Sequence, residues 1–121
     1  MEDPARPNMG FHAASRRAGD VTIIDVEGDL TFIEAGLLRG LVNDLAAKGQ
    51  KKIVLNLRGL KRLDSSGIGE LARAYASIRQ KGGDLKVLHL TPHIAEILQL
   101  IRLHTVLEEF DYEQRALQSF S

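Results

Sequence analysis

The chain has 121 residues, and 16 Lys and Arg balance 16 Asp and Glu. This length suits one domain, and a formal charge of zero gives no overall electrostatic reason to bind nucleic acid directly. The absence of cysteine excludes a disulfide framework, a thiol nucleophile and a cysteine-based zinc site. No apolar run approaches the ~20 residues of a membrane span, and the N-terminal residues lack a signal peptide's apolar stretch, so we expect a cytoplasmic protein without membrane insertion.

The first half of the chain predicts a tail, two strands and a helix. Residues 1–9 hold two prolines and no periodicity, which is typical of a flexible tail before a domain over 10–121. Residues 11–17 are a weak candidate for an edge strand, and the β-branched run at 21–27 is a stronger strand candidate that ends in a turn. Leucine or isoleucine then recurs every fourth residue, which predicts an amphipathic helix over about 34–48.

The second half alternates strands and helices in the same way. Residues 53–57 are apolar at successive positions, which predicts a central strand covered on both faces. A second helix follows, then a strand at 85–90, a third helix with Thr91 as N-cap and Pro92 as its first residue, and an edge strand at 106–110 before a terminal turn or helix. The inward stripes of the two helices are expected to consist of Ile68, Leu71, Ala72, Tyr75 and Ile78, and of Ile94, Ile97, Leu98 and Ile101.

This order of elements predicts the fold class. Strands that alternate with helices over short connections form βαβ units with right-handed crossovers. We therefore expect an α/β domain with a mixed, mostly parallel β-sheet of about four to five strands packed with α-helices. Because the pattern contains only three strong helices, one face of the sheet should be covered less completely.

The motif with chemical potential is Asp64-Ser65-Ser66-Gly67, at the junction of a strand-to-helix loop and a helix. The first amides of a helix have no internal acceptors and carry a partial positive charge, so an anion such as a phosphate is favoured there. The plain structural interpretation is a helix cap, with Gly67 and Gly69 easing close packing. The motif nevertheless contains more small and polar residues than one cap requires.

The segment 63–69, preceded by the strand at 53–57, resembles the signature of STAS-domain anti-sigma-factor antagonists, which are small bacterial phosphoswitch proteins. Further matches make the resemblance extend over about residues 10–112. These matches are Gly28-Asp29-Leu30 after the early strand, Gly82-Gly83 before the later strand, and Pro92 at a helix start.

The resemblance implies a STAS-like domain that is a ligand and a substrate rather than an enzyme, without a cofactor or a metal. In this family the unphosphorylated antagonist binds an anti-sigma factor that is also a serine kinase with a histidine-kinase-like ATPase fold, and the sigma factor is released. Phosphorylation then prevents binding, and a serine phosphatase reverses it. The family's phosphoacceptor falls on Ser65, while Ser66 is expected to help cap the helix.

The resemblance also implies a partner-binding surface around the motif. The residues expected there are Asp64, Ser66, Gly67 and Gly69 of the motif, Gly28 and Thr31 after the early strand, and Glu70 and Arg73 on the second helix, where Ala74 and Ser77 are also expected to be exposed. Thr31 departs from the family pattern, which often has an aspartate at that position. A threonine keeps a hydrogen-bonding group but not the charge, so the identity or the affinity of the partner is in question.

Alternatives in other functional classes stay open at this point. A hydrolase could use Ser65 or Ser66 with His89 or His93 as base, but the chain has no Gly-x-Ser-x-Gly elbow. A nucleotide site would have the glycines and the helix N-terminus, but not the spacing and lysine of a P-loop. An adaptor subunit of a stress-signalling or lipid-transport complex would use the same fold without a phosphoswitch.

The cations Arg58, Lys61 and Arg62 precede the motif and have two interpretations. They could steer an acidic partner or hold a phosphate. More commonly, such residues are simply solvated.

Overall fold

The computed structural model describes residues 10–31 and 36–120, and within these ranges five strands form one sheet in the order β1-β2-β3-β4-β5. The strands are β1 (Phe11–Ala18), β2 (Val21–Leu30), β3 (Lys52–Leu63), β4 (Asp84–Leu88) and β5 (Glu109–Phe110). β1 is antiparallel to β2, and each later neighbouring pair is parallel. The predicted mixed, mostly parallel sheet with a central third strand is confirmed.

The helices of the described residues are α1 (Leu37–Ala47), α2 (Ser65–Gln80), α3 (Pro92–Leu100) and α4 (Glu113–Gln118), with a short 3-10 turn at Leu103–Thr105. The predicted cap of α3 is confirmed, because the Thr91 hydroxyl accepts a hydrogen bond from the Ile94 amide at 3.2 Å. The tail predicted at residues 1–9 and the first two residues of the predicted first helix lie outside the described ranges.

Four strand predictions need correction in length. The strand predicted at 85–90 is β4, which begins at Asp84 and ends at Leu88. β2 extends through Gly28 to Leu30, so the turn expected at Gly28 is wrong. β3 extends to Leu63, although exposed cations break its apolar pattern, because its second half continues to pair with β2. The last strand is shorter than the predicted 106–110, since only Glu109–Phe110 pairs with β4.

The core lies mainly on one face of the sheet. There α1, α2 and α3 contribute fully buried side chains such as Leu38, Leu71 and Ile94, which pack on inward residues of the central strands. The opposite face has a smaller apolar cluster, and Ala116 of α4 completes it. The expectation of one less completely covered face is confirmed.

The helical stripes are correct in most positions and wrong in two. Leu37 is 58% exposed, because the buried face of α1 is set by Leu38 and Val42 one position further along. Ile101 is 44% exposed, because α3 ends at Leu100 and Arg102 adopts a left-handed conformation that turns the chain away.

Arg16 connects three elements on the second face. Its guanidinium donates to the Asp25 carboxylate of β2 at 2.7 and 3.2 Å and to the Glu113 carboxylate of α4 at 2.8 and 3.2 Å. These hydrogen bonds lower the pKa of both carboxyls. The arginine thus links the antiparallel edge strand to the helix that covers this face.

We expect the Arg16 links to make stability depend on acid. Because both carboxyl pKa values are lower in the folded chain than in the unfolded chain, this stabilisation is present at neutral pH and is lost as the pH falls below about 5. The groups are partly exposed, so each pair should contribute at most about 1 kcal/mol after screening. Urea denaturation between acidic and neutral pH should show a steeper loss of free energy of unfolding for wild type than for Arg16→Gln.

Arg17→Gln is the matched control, because Arg17 is exposed on the same strand and its side chain donates to the nearby Gly19 carbonyl rather than to Asp25 or Glu113. This variant should follow the wild-type pH dependence. Parallel pH curves for wild type and Arg16→Gln would contradict the assignment.

Candidate functional site

Helix α2 begins immediately after β3, and Asp64 is the residue between them. Asp64 has an extended backbone, and its carboxylate Oδ1 accepts a hydrogen bond from the Gly67 amide at 2.9 Å. Its carbonyl accepts from the Ile68 amide at 2.9 Å. Asp64 is therefore the N-cap of α2. The capping role expected for Ser66 is wrong, because Ser66 already lies inside the first helical turn.

Gly67 brings this first turn into direct contact with the sheet. A Cβ at this position would overlap the Leu30 carbonyl oxygen at the end of β2 and would lie 2.8 Å from the Leu63 Cδ1 atom. Only glycine allows so close an approach. The start of α2 is therefore fixed against the ends of two neighbouring parallel strands.

Ser65 is the first residue of α2, and it is exposed. The cap occupies the Gly67 amide but leaves the Ser65 side chain on the surface. An open depression of about 500 Å³ lies beside the preceding residue, Asp64. Its lining residues are Thr31, Lys61, Arg62, Leu63, Asp64 and His93.

The structure brings together some of the predicted polar residues and separates others. Lys61, Arg62 and His93 share the depression beside Asp64. Arg58 instead lies with its Nη2 atom 3.3 Å from the His89 Nε2 atom. The cation cluster proposed from the sequence is thus divided, and two of its three members remain near the motif.

Gly28 has a structural task within β2. Its φ angle is 92°, and a Cβ there would overlap the Gly10 carbonyl oxygen at the start of β1. Gly28 also lines a second groove of about 600 Å³ with Glu27, Asp29 and Lys61. Thr31 follows directly after β2, is half-buried and lines the depression at the motif.

Two residues expected on the exposed side of α2 are buried. Glu70 is 1% exposed and Ala74 is fully buried. The prediction was wrong because α1 packs along α2 and covers a second stripe, which the sequence pattern of α2 alone did not mark as apolar. Arg73 is exposed as predicted, while Ser77 is half-buried and donates a hydrogen bond to Asn43 of α1 at 2.6 Å.

The buried Glu70 carboxylate lies at the N-terminus of α1. Gly36, the N-cap of α1, provides no side-chain cap, and the Arg39 amide donates instead to Glu70 Oε2 at 3.3 Å. The Arg39 Nε atom is 3.7 Å from the same oxygen, and the Arg73 Nη1 atom is 3.8 Å from Oε1. Glu70 of α2 thus accepts a hydrogen bond from the first turn of α1. The N-terminus of a helix is a favourable position for a negative charge.

Arg73 lies back along its own helix. A Cβ on Gly69 would be 3.2 Å from the Arg73 Nη1 atom, so the guanidinium covers the glycine one turn earlier. This direction is the usual one for a long helical side chain. The absence of a side chain at Gly69 gives the guanidinium room over the helix backbone.

The described ranges contain neither a candidate metal centre nor a candidate membrane span. No group of three or more His, Cys, Asp or Glu side chains in them is arranged to hold a metal ion. None of the helices in those ranges is both long and apolar enough to cross a membrane.

Comparison with known proteins identifies the family. A family model described as "Mlab, STAS domain" matches residues 13–109. The chain belongs to the STAS-domain family. This STAS-domain chain is 31% identical to the anti-sigma F factor antagonist of Paenibacillus polymyxa over 98 residues. The matched segment covers 80% of this chain and 84% of that relative. By sequence and fold it is a member of the anti-sigma factor antagonists.

Solved structures show the same STAS fold. An anti-sigma factor antagonist from Mycobacterium paratuberculosis superimposes with a TM-score of 0.79 at 19% identity, over 90% of this chain and 92% of that one. The phosphorylated form of the Bacillus cell fate determinant SpoIIAA superimposes with a TM-score of 0.68 at 19% identity, over 92% and 99% of the two chains. The predicted fold class is confirmed by both likenesses.

The contact between Gly67 and the end of β2 generates a prediction about stability. Gly67→Ala must move α2 away from Leu30 and should lower the free energy of unfolding by about 1–3 kcal/mol, as overpacking does. Gly69→Ala meets only the movable end of Arg73 and gains helix propensity, so it should be neutral or stabilising by up to about 1 kcal/mol. Urea denaturation of the two variants measures the difference, and equal midpoints would refute the close contact.

Proposed function

We propose that this STAS-domain chain is an anti-sigma factor antagonist whose binding is controlled by phosphorylation of Ser65. The observation that carries the proposal is an exposed serine at the first position of a helix whose cap is a different residue, Asp64. The Paenibacillus polymyxa relative is named as an antagonist of an anti-sigma factor, which supports this class of partner. The likeness to phosphorylated SpoIIAA shows the fold and is compatible with a phosphate on such a domain.

In the proposed cycle the unphosphorylated chain binds an anti-sigma factor and thereby frees the sigma factor. The anti-sigma factor is also a serine kinase with a histidine-kinase-like ATPase fold, and it transfers a phosphate to Ser65. A serine phosphatase restores the binding form. The kinase and the phosphatase catalyse the two reactions, and this chain is their substrate and ligand in the cytoplasm. We propose no cofactor or catalytic residue for it.

The local electrostatics support a switch that leaves the fold intact. A phosphoserine adds about −1.5 to −2 charges near neutral pH. At the first residue of α2 that charge is favoured by the helix dipole and the free amides of the first turn, so the helix should stay folded. A partner that has desolvated the uncharged surface would instead meet a strongly hydrated anion.

The proposed partner surface combines direct contacts with supporting residues. Ser65 and Arg73 are exposed, and Ser66, Gly69, Gly28 and Thr31 are partly accessible around them. Asp64 and Gly67 act mainly by fixing the start of α2, since one forms the cap and the other packs on β2. Glu70 is buried and contributes from beneath the surface, through Arg39 and Arg73. We propose that 10–121 form the STAS domain and 1–9 a tail.

A second candidate is an adaptor subunit without a phosphoswitch. It is favoured by the description of the matching family model, "Mlab, STAS domain", and by Thr31, which replaces the acid frequent among phosphoswitch antagonists. In that case Asp64-Ser65-Ser66-Gly67 acts only as the start of a helix. Phosphorylation and binding experiments on Ser65 separate the two candidates.

Substitutions at Ser65 should alter binding without altering the fold. Ser65→Ala should bind the anti-sigma factor as wild type does, whereas Ser65→Asp should bind at least about tenfold more weakly, a difference of about 1.4 kcal/mol. Calorimetric titration against anti-sigma factor kinases of the source organism measures both affinities. Circular dichroism and urea denaturation check that each variant is folded.

Ser15→Asp is the matched control, because Ser15 is exposed on the outer strand β1 and the substitution adds the same charge there. It should retain wild-type affinity. If Ser65→Asp also binds as wild type does, a charge at Ser65 does not control binding and the phosphoswitch is wrong.

A further inference from the structure

Ser65, Gly69 and Arg73 follow one another at four-residue intervals on one face of α2. The two ends of this series are eight residues apart, which is about 12 Å along the helix axis. The Arg73 guanidinium, however, lies over Gly69, which is midway between Arg73 and Ser65 along the helix. A side chain at position 69 would obstruct this path, and glycine leaves it open.

The present partner of Arg73 holds it loosely. The Arg73 Nη1 atom is 3.8 Å from Glu70 Oε1, which is an ion pair rather than a hydrogen bond, and the arginine side chain is 62% exposed. Glu70 has independent contacts with the Arg39 amide at 3.3 Å and with the Arg39 Nε atom at 3.7 Å. Arg73 can therefore move away without leaving the buried carboxylate unpaired.

We infer that Arg73 is the cation that pairs with the phosphate on Ser65. This inference rests on the proposed phosphorylation of that serine. A phosphate dianion offers three acceptor oxygens, and a guanidinium can donate to two of them in parallel. The present ion pair of Arg73 with one Glu70 oxygen, at 3.8 Å, is weaker than such a bidentate pair. The phosphate thus competes with Glu70 for Arg73 and binds the guanidinium more strongly because of its higher charge and its bidentate geometry.

Other charged or polar side chains lie near the start of α2. Lys61, Arg62 and His93 line the depression on the side of the strand ends, and the Asp64 carboxylate, engaged with the Gly67 amide, lies among them. Arg73 differs from Lys61 and Arg62 because it approaches along the helix that carries Ser65. Pairing with Arg73 would hold the phosphate against α2 and would withdraw this arginine from the surface offered to a partner.

The pairing also reaches the first helix. When Arg73 leaves Glu70, the carboxylate keeps its contacts with Arg39, whose amide belongs to the first turn of α1. Phosphorylation of Ser65 should therefore change the environment of the Arg39 amide, although the two residues lie on different helices. Arg73 and Glu70 would transmit the modification from the start of α2 to the start of α1.

The test installs phosphoserine at position 65 of the full-length chain during translation, so that it does not depend on a kinase. Phosphorus NMR then follows the second pKa of the phosphate, which is about 6 in an unperturbed phosphoserine. Because a nearby cation favours the dianion and lowers this pKa, Arg73→Gln should raise it by about 0.2 to 0.7 relative to wild type, the range for an exposed ion pair. Glu70→Gln, which removes the competing carboxylate, should lower the phosphate pKa below the wild-type value.

Arg79→Gln is the matched control, since Arg79 is an exposed arginine near the far end of the same helix and pairs with Asp84. It changes the net charge equally and should leave the phosphate pKa at the wild-type value. In the same samples, the Arg39 amide signal should shift on phosphorylation in wild type and in Arg79→Gln but not in Arg73→Gln.

Equal phosphate pKa values in Arg73→Gln and Arg79→Gln would overturn the inference. It would also be overturned if Arg62→Gln raised the pKa and Arg73→Gln did not, since the phosphate would then pair with the cations at the strand ends. Neither result would bear on whether cells phosphorylate Ser65, because the phosphate is installed during translation. The proposed function is therefore tested independently of the pairing between Arg73 and the phosphate.

Discussion

The contact between the first turn of α2 and the end of β2 determines the geometry of the site. Gly67 has no side chain, so the helix backbone lies directly against the Leu30 carbonyl, and Asp64 closes the helix end with its carboxylate. With those two residues engaged in structure, Ser65 is left on the surface at a rigid helix start. A modification there can change the surface while the sheet and helix remain as they are.

The buried Glu70 adds a second constraint at the same end of the molecule. Burial of a carboxylate is costly unless it is paired, and here a helix amide and two guanidinium groups surround it. The consequence is a polar connection between the starts of α1 and α2. The Arg39 and Arg73 side chains therefore share one buried carboxylate as an ion-pair partner.

Much of the architecture could be predicted from local patterns, because strand and helix periods reflect which face is buried. The central strand at 53–57 and the Thr91-Pro92 helix start are clear cases, since continuous apolar residues and a cap with proline each have one common structural meaning. Strand ends were less predictable. β3 continues past its apolar stretch because pairing with β2 holds residues that have no strand-like pattern of their own.

The errors at the site have a common origin in tertiary packing. Glu70 and Ala74 do not lie on the apolar stripe of α2, and only the position of α1 shows that they are covered. The cap could not be assigned among Asp64, Ser65 and Ser66 from sequence, because all three are good capping residues and the helix boundary decides between them.

The central claim is that Ser65, and not its neighbour, is the modified residue. Intact-mass and site-mapping mass spectrometry of the chain purified from its native cells, with phosphatases inhibited, tests this most directly. The account predicts a fraction of the chain with a single phosphate on Ser65, since that side chain is exposed whereas Ser66 is half-buried. A phosphate on Ser66 alone would contradict it. Complete absence of phosphate across growth and stress conditions would also contradict it and would favour the adaptor.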